Sequence, residues 1–288
     1  MKKPEWIKSA CPPEPRTREK ISVLLSNLEI NTVCREANCP NLNECWGAGT
    51  ATFMLLGDRC TRNCRFCDVE TGNPKGKLDP EEPEKIGRAV RQLNLEYVVL
   101  TSVDRDDLPD GGARHFSQVV ESLKAAAKAP KIEALIPDFE GAQSSLELLV
   151  RSGPDVIGHN LETVERLTPK VRDSRAGYRQ SLEVLRALKT LDKNLFTKSS
   201  LMVGLGEEEP EILQAMKDLR EAGAEILTIG QYLQPGSDQL PVEKYWSPEE
   251  FARLKSAAEN LGFEAVVSGP FVRSSYKAKE VYERLTAE

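Results

Sequence analysis

The placement of cysteine is the feature of this 288-residue sequence that most restricts its fold and chemistry. Six of the seven cysteines fall between residues 34 and 67, and none follows residue 67. They form two triplets, Cys-x4-Cys-x5-Cys at residues 34–45 and Cys-x3-Cys-x2-Cys at residues 60–67, while Cys11 lies apart. A disulfide framework would spread its bridges over the whole fold and suits small secreted domains. Two local groups of thiols are more typical of metal binding.

The remaining composition argues against several classes of protein. Acidic residues (45) outnumber basic ones (39), and the net charge of −6 disfavours a nucleic-acid surface or a polybasic membrane patch. No apolar run approaches the ~20 residues that a membrane helix needs. Residues 1–15 lack an apolar stretch and contain closely spaced prolines, unlike a secretory signal. We therefore expect a cytoplasmic protein that binds neither nucleic acid nor membrane.

A regular alternation of strand-like and helix-like segments begins after residue 50. Apolar, β-branched runs predict strands at residues 51–56, 97–103, 131–137, 156–161, 195–203 and 226–233, with a last run at 265–267. Helical periodicity predicts helices at residues 83–93, 114–128, 142–150, 180–191, 210–222 and 248–261. Ser247 is the expected N-cap of the last helix, and the acidic run that begins at Glu207 is expected to be a helix N-terminus. Successive β-α units predict a parallel sheet, which right-handed crossovers would curl into a partial (β/α)6 TIM-type barrel. A doubly wound open sheet is the alternative.

The segments on either side of this alternation are less regular. Residues 1–50 contain five prolines and one predicted helix, at residues 17–28. We expect an N-terminal extension at 1–50, the barrel at 51–240, and a C-terminal helix and extension at 241–288.

The triplet Cys60, Cys64 and Cys67 follows the first predicted strand, at the edge of the sheet where such folds carry their chemistry. Three thiolates leave one ligand position open, whereas a structural zinc needs four protein ligands. Soft thiolates suit zinc or iron–sulfur clusters. The residues alone leave two alternatives, zinc or a 4Fe–4S cluster in which one iron would be free for substrate. For Cys34, Cys39 and Cys45 we favour a second cluster over spare thiols or zinc, with Cys11 as a weaker candidate for the fourth ligand.

Several strings of residues, in order along the chain, resemble one enzyme family. The spacing of residues 60–67, with Phe66 before the last cysteine, is similar to the signature of the radical S-adenosylmethionine (SAM) superfamily. Over residues 5–280 the chain resembles lipoyl synthases through both cysteine triplets and the strings ATFMLLGDRCTRNCRFCDV (51–69), TSVDRDDLPDGGA (101–113), HNLETV (159–164), KSSLMVGLGE (198–207) and RSSY (273–276).

The resemblance implies specific ligands. Cys60, Cys64 and Cys67 would hold the cluster that binds SAM. Cys34, Cys39 and Cys45 would hold an auxiliary 4Fe–4S cluster with Ser275 as its fourth ligand. An oxygen donor matches iron–sulfur less well than a thiolate, so Ser275 would be the ligand that is easiest to release. Arg273 would steer this loop or bind substrate. The expected SAM contacts are Phe66, Thr101, Ser102, Asp104, Asn160, Glu162 and Lys198.

The resemblance also implies the reaction and the partners. Two sulfur atoms would be inserted at C6 and C8 of an octanoyl chain on a lipoyl carrier domain, with the auxiliary cluster as sulfur source. The carriers would be the E2 subunits of 2-oxo-acid dehydrogenases and the H protein of glycine cleavage, and a ferredoxin or flavodoxin would be the reductant. Breaking an unactivated C–H bond is beyond acid–base catalysis and needs a cofactor.

Two alternatives stay open at this point. One is another two-cluster radical SAM enzyme, such as a methylthiotransferase or a biotin synthase-like protein, although the spacing at residues 34–45 and the RSSY string argue against it. The other is a non-catalytic zinc or iron–sulfur scaffold. Among the histidines, His159 is equally compatible with packing and function, and His115 has no predicted role.

Overall fold

The computed structural model describes residues 2–7, 15–37, 39–47 and 52–287. The chain forms two compact units. The amino-terminal unit comprises Ala10–Arg62 and Asp68–Asp155, and the carboxy-terminal unit comprises Met1–Ser9, Asn63–Cys67 and Val156–Glu288. The second cysteine triplet is therefore divided between the units, because Cys60 belongs to the first and Cys64 and Cys67 belong to the second.

The amino-terminal unit combines a small sheet with six helices. Its strands are β1 (Asn31–Thr32), β2 (Thr52–Leu55), β3 (Arg59–Cys60), β4 (Glu70–Thr71), β5 (Tyr97–Ser102) and β6 (Lys131–Leu135). Its helices are α1 (Pro15–Asn27), α2 (Val33–Glu36), α3 (Leu42–Gly47), α4 (Glu82–Gln92), α5 (Ala113–Lys124) and α6 (Gln143–Arg151), with a short 3-10 helix at Phe139–Gly141. Strands β2, β5 and β6 pair in parallel, as predicted, and β3 and β4 form a separate parallel pair.

Apolar residues at helical spacing explain why α4 and α5 cover this sheet. Ile86, Ala89 and Val90 are buried in α4, and Phe116, Val119, Val120 and Leu123 are buried in α5. Helix α5 ends at Lys124, four residues before its predicted end. The apolar pattern predicted the positions of both helices, because a helix that buries one face has apolar residues at regular helical spacing.

The region before residue 50 is more structured than its prolines suggest. Strand β1 adds to the sheet edge antiparallel to β2, with Asn31 opposite Met54 and Thr32 opposite Phe53. The expectation of an irregular segment with one helix was wrong for β1, α2 and α3. A two-residue strand and helices of four and six residues are too short to produce a periodic signal.

The carboxy-terminal unit continues the alternation of strands and helices. Its strands are β7 (Val156–Gly158), β8 (Phe196–Val203), β9 (Ile226–Gln231) and β10 (Ala265–Gly269). Its helices are α7 (Thr168–Val171), α8 (Tyr178–Leu191), α9 (Glu209–Glu221), α10 (Pro248–Asn260) and α11 (Ala278–Leu285), with 3-10 helices at Glu5–Ile7 and Glu165–Leu167. All four strands are parallel, in the order β7-β8-β9-β10.

Local signals set several of these boundaries. Ser247 caps α10 as predicted, since its Oγ accepts from the Glu250 N–H at 3.2 Å and the Glu250 side chain accepts from the Ser247 N–H at 2.7 Å. Strand β7 ends at Gly158, three residues earlier than predicted.

The two faces of the carboxy-terminal sheet differ in chemistry. Leu201, Val203, Leu227 and Ile229 belong to a core that includes residues of α8, α9 and α10. Side chains alternate along a strand, so the opposite face carries Lys198, Ser200, Thr228 and Gly230 together with the apolar Met202 and Ile226. Lys198, Ser200 and Thr228 are nevertheless buried. Buried polar side chains such as these are suited to a polar ligand.

No helix in the described part of the chain has the length and apolar character needed to cross a membrane. The predicted domain boundaries at residues 50 and 240 stay a prediction.

Candidate cluster and cofactor site

Cys60 ends strand β3, where hydrogen bonds to the loop after β5 fix its position. The Thr61 N–H donates to the Asp104 carbonyl at 3.0 Å, and the Thr61 Oγ accepts from the Asp106 N–H at 3.0 Å. The Cys60 Sγ lies 3.8 Å from Asp104 Oδ2. The sulfur is therefore held beside a carboxylate that follows a neighbouring strand.

Arg62, two residues after Cys60, is the centre of a buried ion-pair group. Its guanidinium binds Asp138 at 2.7 and 2.8 Å and Asp106 at 2.8 Å, and it lies 3.3 Å from Asp104. The Arg62 side chain is 3% exposed and that of Asp138 is 0% exposed. Burial alone would lower the pKa of Arg62, but the hydrogen bonds that it donates to Asp138 and Asp106 outweigh burial and raise that pKa above its usual range. Arg62 therefore keeps its positive charge.

The other two cysteines of this triplet lie in the carboxy-terminal unit, on residues 63–67. The Asp173 N–H donates to the Cys64 Sγ at 3.3 Å, and the Cys67 N–H donates to the Cys64 carbonyl at 3.0 Å. Gln239 donates to the Cys67 carbonyl at 3.2 Å. Phe66 packs against the apolar core of this unit. The backbone around both sulfurs is therefore held in place by residues distant in sequence.

The first triplet lies on the short helices of the amino-terminal unit. Cys34 is in α2 and Cys45 is in α3, and the Cys39 N–H donates to the Cys34 carbonyl at 3.1 Å. Burial raises the pKa of the Cys34 thiol, the Thr52 backbone partly offsets this rise, and the nearby Cys39 adds to it. The indole N–H of Trp46 is buried and points toward the Cys34 thiol, whose pKa it lowers slightly, without forming a hydrogen bond of full geometry among the described residues. A buried donor close to these thiols suits a sulfur-rich ligand.

The cysteines of both triplets are reduced in the part of the chain that the structure describes. None of Cys34, Cys39, Cys45, Cys60, Cys64 and Cys67 forms a disulfide. Within the described ranges, no three His, Cys, Asp or Glu side chains converge in the way that one metal ion requires. A tetrahedral zinc with ~2.3 Å bonds would need its sulfurs close together, whereas the irons of a 4Fe–4S cluster take thiolates spread around a larger body. The assignment of the six cysteines as ligands stays a prediction.

Ser275 lies in a tight turn between β10 and α11. The Tyr276 N–H donates to the Arg273 carbonyl at 3.0 Å and closes the turn around Ser274 and Ser275. The Arg273 guanidinium donates to the Val272 carbonyl at 2.6 Å. Ser275 is half-buried, and its predicted role as a ligand stays a prediction.

The amino-terminal unit carries three predicted SAM contacts at the end of β5. Thr101 is buried in the strand between Met54 of β2 and Leu135 of β6. The Ser102 Oγ is buried and has no hydrogen-bond partner in the described part of the chain. Asp104 follows and contacts Arg62 and Cys60. An unsatisfied hydroxyl at a strand end fits a polar ligand.

The carboxy-terminal unit carries three more of the predicted SAM contacts, Asn160, Glu162 and Lys198. Asn160 donates to Glu162 at 3.0 Å, but its own Oδ1 is buried with no partner among the described residues. Burial raises the pKa of Glu162, and the hydrogen bond from Asn160 and the charge of Arg172 partly offset this rise. Lys198 is buried in β8, between Gly158 and Ile226. Asn160 therefore resembles Ser102 in having an acceptor available for a polar ligand.

Comparisons with known proteins agree with this chemistry. The radical SAM superfamily matches residues 54–229. The lipoyl synthase of Thermus thermophilus is 53% identical over 284 residues, which is 99% of this chain and 88% of that protein. The chain belongs to the lipoyl synthase family. The lipoyl synthase of Deinococcus radiodurans is 52% identical over 97% of the chain and 84% of its own length.

Solved structures that resemble this member of the lipoyl synthase family confirm the predicted fold class, a partial barrel of the radical SAM kind. A methylornithine synthase is 14% identical and superposes with a TM-score of 0.54, covering 94% of this chain and 92% of its own. The FeFe-hydrogenase maturase HydG from Carboxydothermus hydrogenoformans is 13% identical with a TM-score of 0.57, covering 94% and 79%. Membership of the radical SAM superfamily implies SAM and one 4Fe–4S cluster.

Sequence reasoning about this lipoyl synthase family member missed several residues around the site. Arg62 was assigned no role, although its position between Cys60 and Cys64 could have indicated one. Glu207 was interpreted only as part of a helix terminus, but its carboxylate accepts from the Leu205 N–H at 2.8 Å and from the Trp246 indole at 3.0 Å. His159 is paired with Ser181 at 2.9 Å, and His115 with Glu82 at 2.8 Å, so both histidines have structural partners.

Proposed function

We propose that this protein inserts two sulfur atoms, at C6 and C8, into an octanoyl chain carried by a lipoyl domain, with the sulfur drawn from an auxiliary 4Fe–4S cluster. The observation that carries the proposal is the 53% identity to a lipoyl synthase over 99% of the chain, and none of the six predicted cysteine ligands is held in a disulfide within the described residues. When bound, SAM and the first cluster would supply the radical chemistry that breaks unactivated C–H bonds, and the second cluster would supply sulfur.

The chain's own residues would bind and orient these groups. Thiolates of Cys60, Cys64 and Cys67 would hold the first cluster, and the Asp173 N–H at 3.3 Å from the Cys64 Sγ would stabilise negative charge on that sulfur. Thiolates of Cys34, Cys39 and Cys45, with the Ser275 oxygen, would hold the second. Because burial raises the pKa of Cys34, binding there would release a proton from a thiol that is otherwise neutral.

Two buried polar atoms support the proposed SAM site. Ser102 Oγ and Asn160 Oδ1 lack hydrogen-bond partners among the described residues, and a buried polar atom without a partner is costly. The hydroxyl, amine and carboxylate groups of SAM are the type of partner that each of these atoms lacks. Phe66, Thr101, Asp104, Glu162 and Lys198 complete the proposed contacts, with Lys198 as the cation for a carboxylate.

The partners follow from the reaction. The acceptor would be an octanoylated lipoyl domain, either of a 2-oxo-acid dehydrogenase E2 subunit or of the glycine-cleavage H protein. A ferredoxin or flavodoxin would supply electrons in the cytoplasm. Arg273, half-buried beside the turn that holds Ser275, would steer that turn or bind substrate.

One assay tests substrate and product together. Anaerobically reconstituted protein, SAM and a reductant are incubated with an octanoylated lipoyl domain, and the domain is weighed by mass spectrometry. The expected gain for the ring-closed product is two sulfur atoms less two hydrogens, because each attacked carbon exchanges one hydrogen for sulfur and the two sulfurs then join. A domain of unchanged mass, from protein that holds iron and cleaves SAM, would contradict the proposed substrate. Protein that binds only zinc would contradict the whole reaction.

A further inference from the structure

Arg62 ties three separate segments of the amino-terminal unit together beside a predicted cluster ligand. It follows Cys60 by two residues, and its partners Asp106 and Asp138 lie 44 and 76 residues away, after β5 and β6. The contact with Asp138 is bidentate, at 2.7 and 2.8 Å, and both side chains are almost completely buried. A planar guanidinium with two carboxylates in this arrangement fixes orientation as well as position.

The same group brings a carboxylate close to one sulfur. Three carboxylates, those of Asp104, Asp106 and Asp138, contact the one guanidinium of Arg62. Asp104 links Arg62 to the predicted ligand, with its Oδ1 3.3 Å from Arg62 and its Oδ2 3.8 Å from the Cys60 Sγ. The Asp104 side chain is 24% exposed, and at 3.8 Å its charge acts on the sulfur well within the distance over which salt screens.

We propose that Arg62 is a positioning residue for Cys60, and that the carboxylates it gathers keep the reduction potential of the first cluster low. The inference rests on the proposed function, in which Cys60 is a cluster ligand. Reduction adds a negative charge to the cluster, and carboxylates nearby oppose that charge. A cluster that is harder to reduce is a stronger donor once reduced, and reductive cleavage of SAM needs a strong donor.

Arg105 provides a matched control for the positioning role. It is as deeply buried as Arg62 and also pairs bidentately with an aspartate, Asp107, at 2.7 and 2.8 Å. Its other partners are the carbonyls of Leu56 and Lys77 at 2.9 Å. Arg62→Lys and Arg105→Lys therefore remove the same type of contact, but only Arg62 lies on the cysteine loop itself, two residues after Cys60.

The first measurement is retention of the cluster in the reconstituted full-length protein. The relevant cluster is identified as the one whose electron paramagnetic resonance signal Cys60→Ala abolishes. Arg62→Lys should lose it to a chelator about 10-fold more readily than the wild type, while Arg105→Lys should retain it. In the metal-free protein, both variants should have melting temperatures that are lowered by a similar amount relative to the wild type. Equal retention in the two variants would overturn the positioning role.

The second measurement is the midpoint potential of that cluster. It is made without SAM, so that a contact between Asp104 and SAM cannot contribute to the potential. It stays informative even if Arg62→Lys does not fold. Asp104→Asn should shift the potential upward, and by more than Asp107→Asn, which removes the same charge from the loop away from Cys60. Equal shifts would overturn the electrostatic role. If the wild-type protein holds no cluster at this triplet, the proposed function and this inference are both overturned. If the cluster is present but the paired variants give equal retention and equal potentials, this inference alone is overturned.

Discussion

The carbonyl oxygen of Val272 lies against Gly230 so closely that a β-carbon built on residue 230 would be 2.0 Å from it. Gly230 is in β9, on the polar face that also carries Lys198 and Ser200, and Val272 precedes the turn that contains Ser275. The missing side chain thus allows the backbone before that turn to rest directly on the sheet. The register partner Gly269 in β10 is less crowded, because its β-carbon would meet only the Val272 Cγ2 at an ordinary 3.5 Å.

Gly230→Ala should displace the turn that holds Ser275. Backbone cannot move aside as a flexible side chain can, so the overpacking should cost about 1–3 kcal/mol and shift residues 272–276. We expect SAM cleavage to continue while formation of the lipoyl group falls about 10-fold or more, as is typical when the support of a metal ligand is lost. The measurement is the ratio of 5′-deoxyadenosine to lipoyl product. Gly269→Ala is the matched control, and equal ratios in the two variants would show that the contact with Val272 is unimportant.

Ser275→Cys tests whether an oxygen ligand is needed for release of sulfur. A thiolate binds iron–sulfur more strongly than a serine oxygen, so the second cluster should be retained but should release sulfur less readily. We expect wild-type iron content and formation of the lipoyl group slowed by about 10-fold. Ser274→Cys, one residue earlier in the same turn, should leave the rate near that of the wild type. Full activity of Ser275→Cys would contradict a special role for oxygen at this position.

Glu162→Gln should reduce the dependence of folding stability on pH. Burial raises the pKa of Glu162, so the folded protein holds that proton more tightly than the unfolded chain does. Ionisation of Glu162 therefore lowers the free energy of unfolding as pH rises above the ordinary glutamate pKa of 4.5. Urea titrations of the metal-free protein should show that the glutamine variant gains stability relative to the wild type between pH 4.5 and neutrality. The exposed Glu183→Gln should show no such gain, and a parallel pH dependence for all three proteins would exclude this effect.

Trp246→Phe should destabilise the turn after β8. The Trp246 indole donates to the buried Glu207 carboxylate at 3.0 Å, and the same carboxylate accepts from the Leu205 N–H at 2.8 Å. Loss of the indole donor leaves a buried carboxylate oxygen short of a partner, which should cost about 1–3 kcal/mol in the free energy of unfolding. Trp6→Phe is the control, because Trp6 is 43% exposed and its loss should change stability little. Equal urea midpoints for the two variants would contradict this account.

Sequence reasoning succeeded where the signal is local. The spacing of Cys60, Cys64 and Cys67 identified the chemistry of the site, and alternating apolar patterns located β2 and β5 to β9 with small errors at their ends. Ser247 was identified as a helix cap because capping involves residues three apart. The same approach missed β1, α2 and α3, whose lengths of two to six residues are below the period that such patterns require.

The sequence by itself therefore determined which residues carry chemistry and which segments form strands and helices, because spacing along the chain controls both. Only the tertiary structure decided which distant groups meet. Nothing in the spacing predicts that Arg62 binds Asp138, 76 residues away, or that the Val272 carbonyl rests on Gly230. Those contacts depend on which strand ends become neighbours in the folded sheet, and on how closely two backbones approach when a side chain is absent.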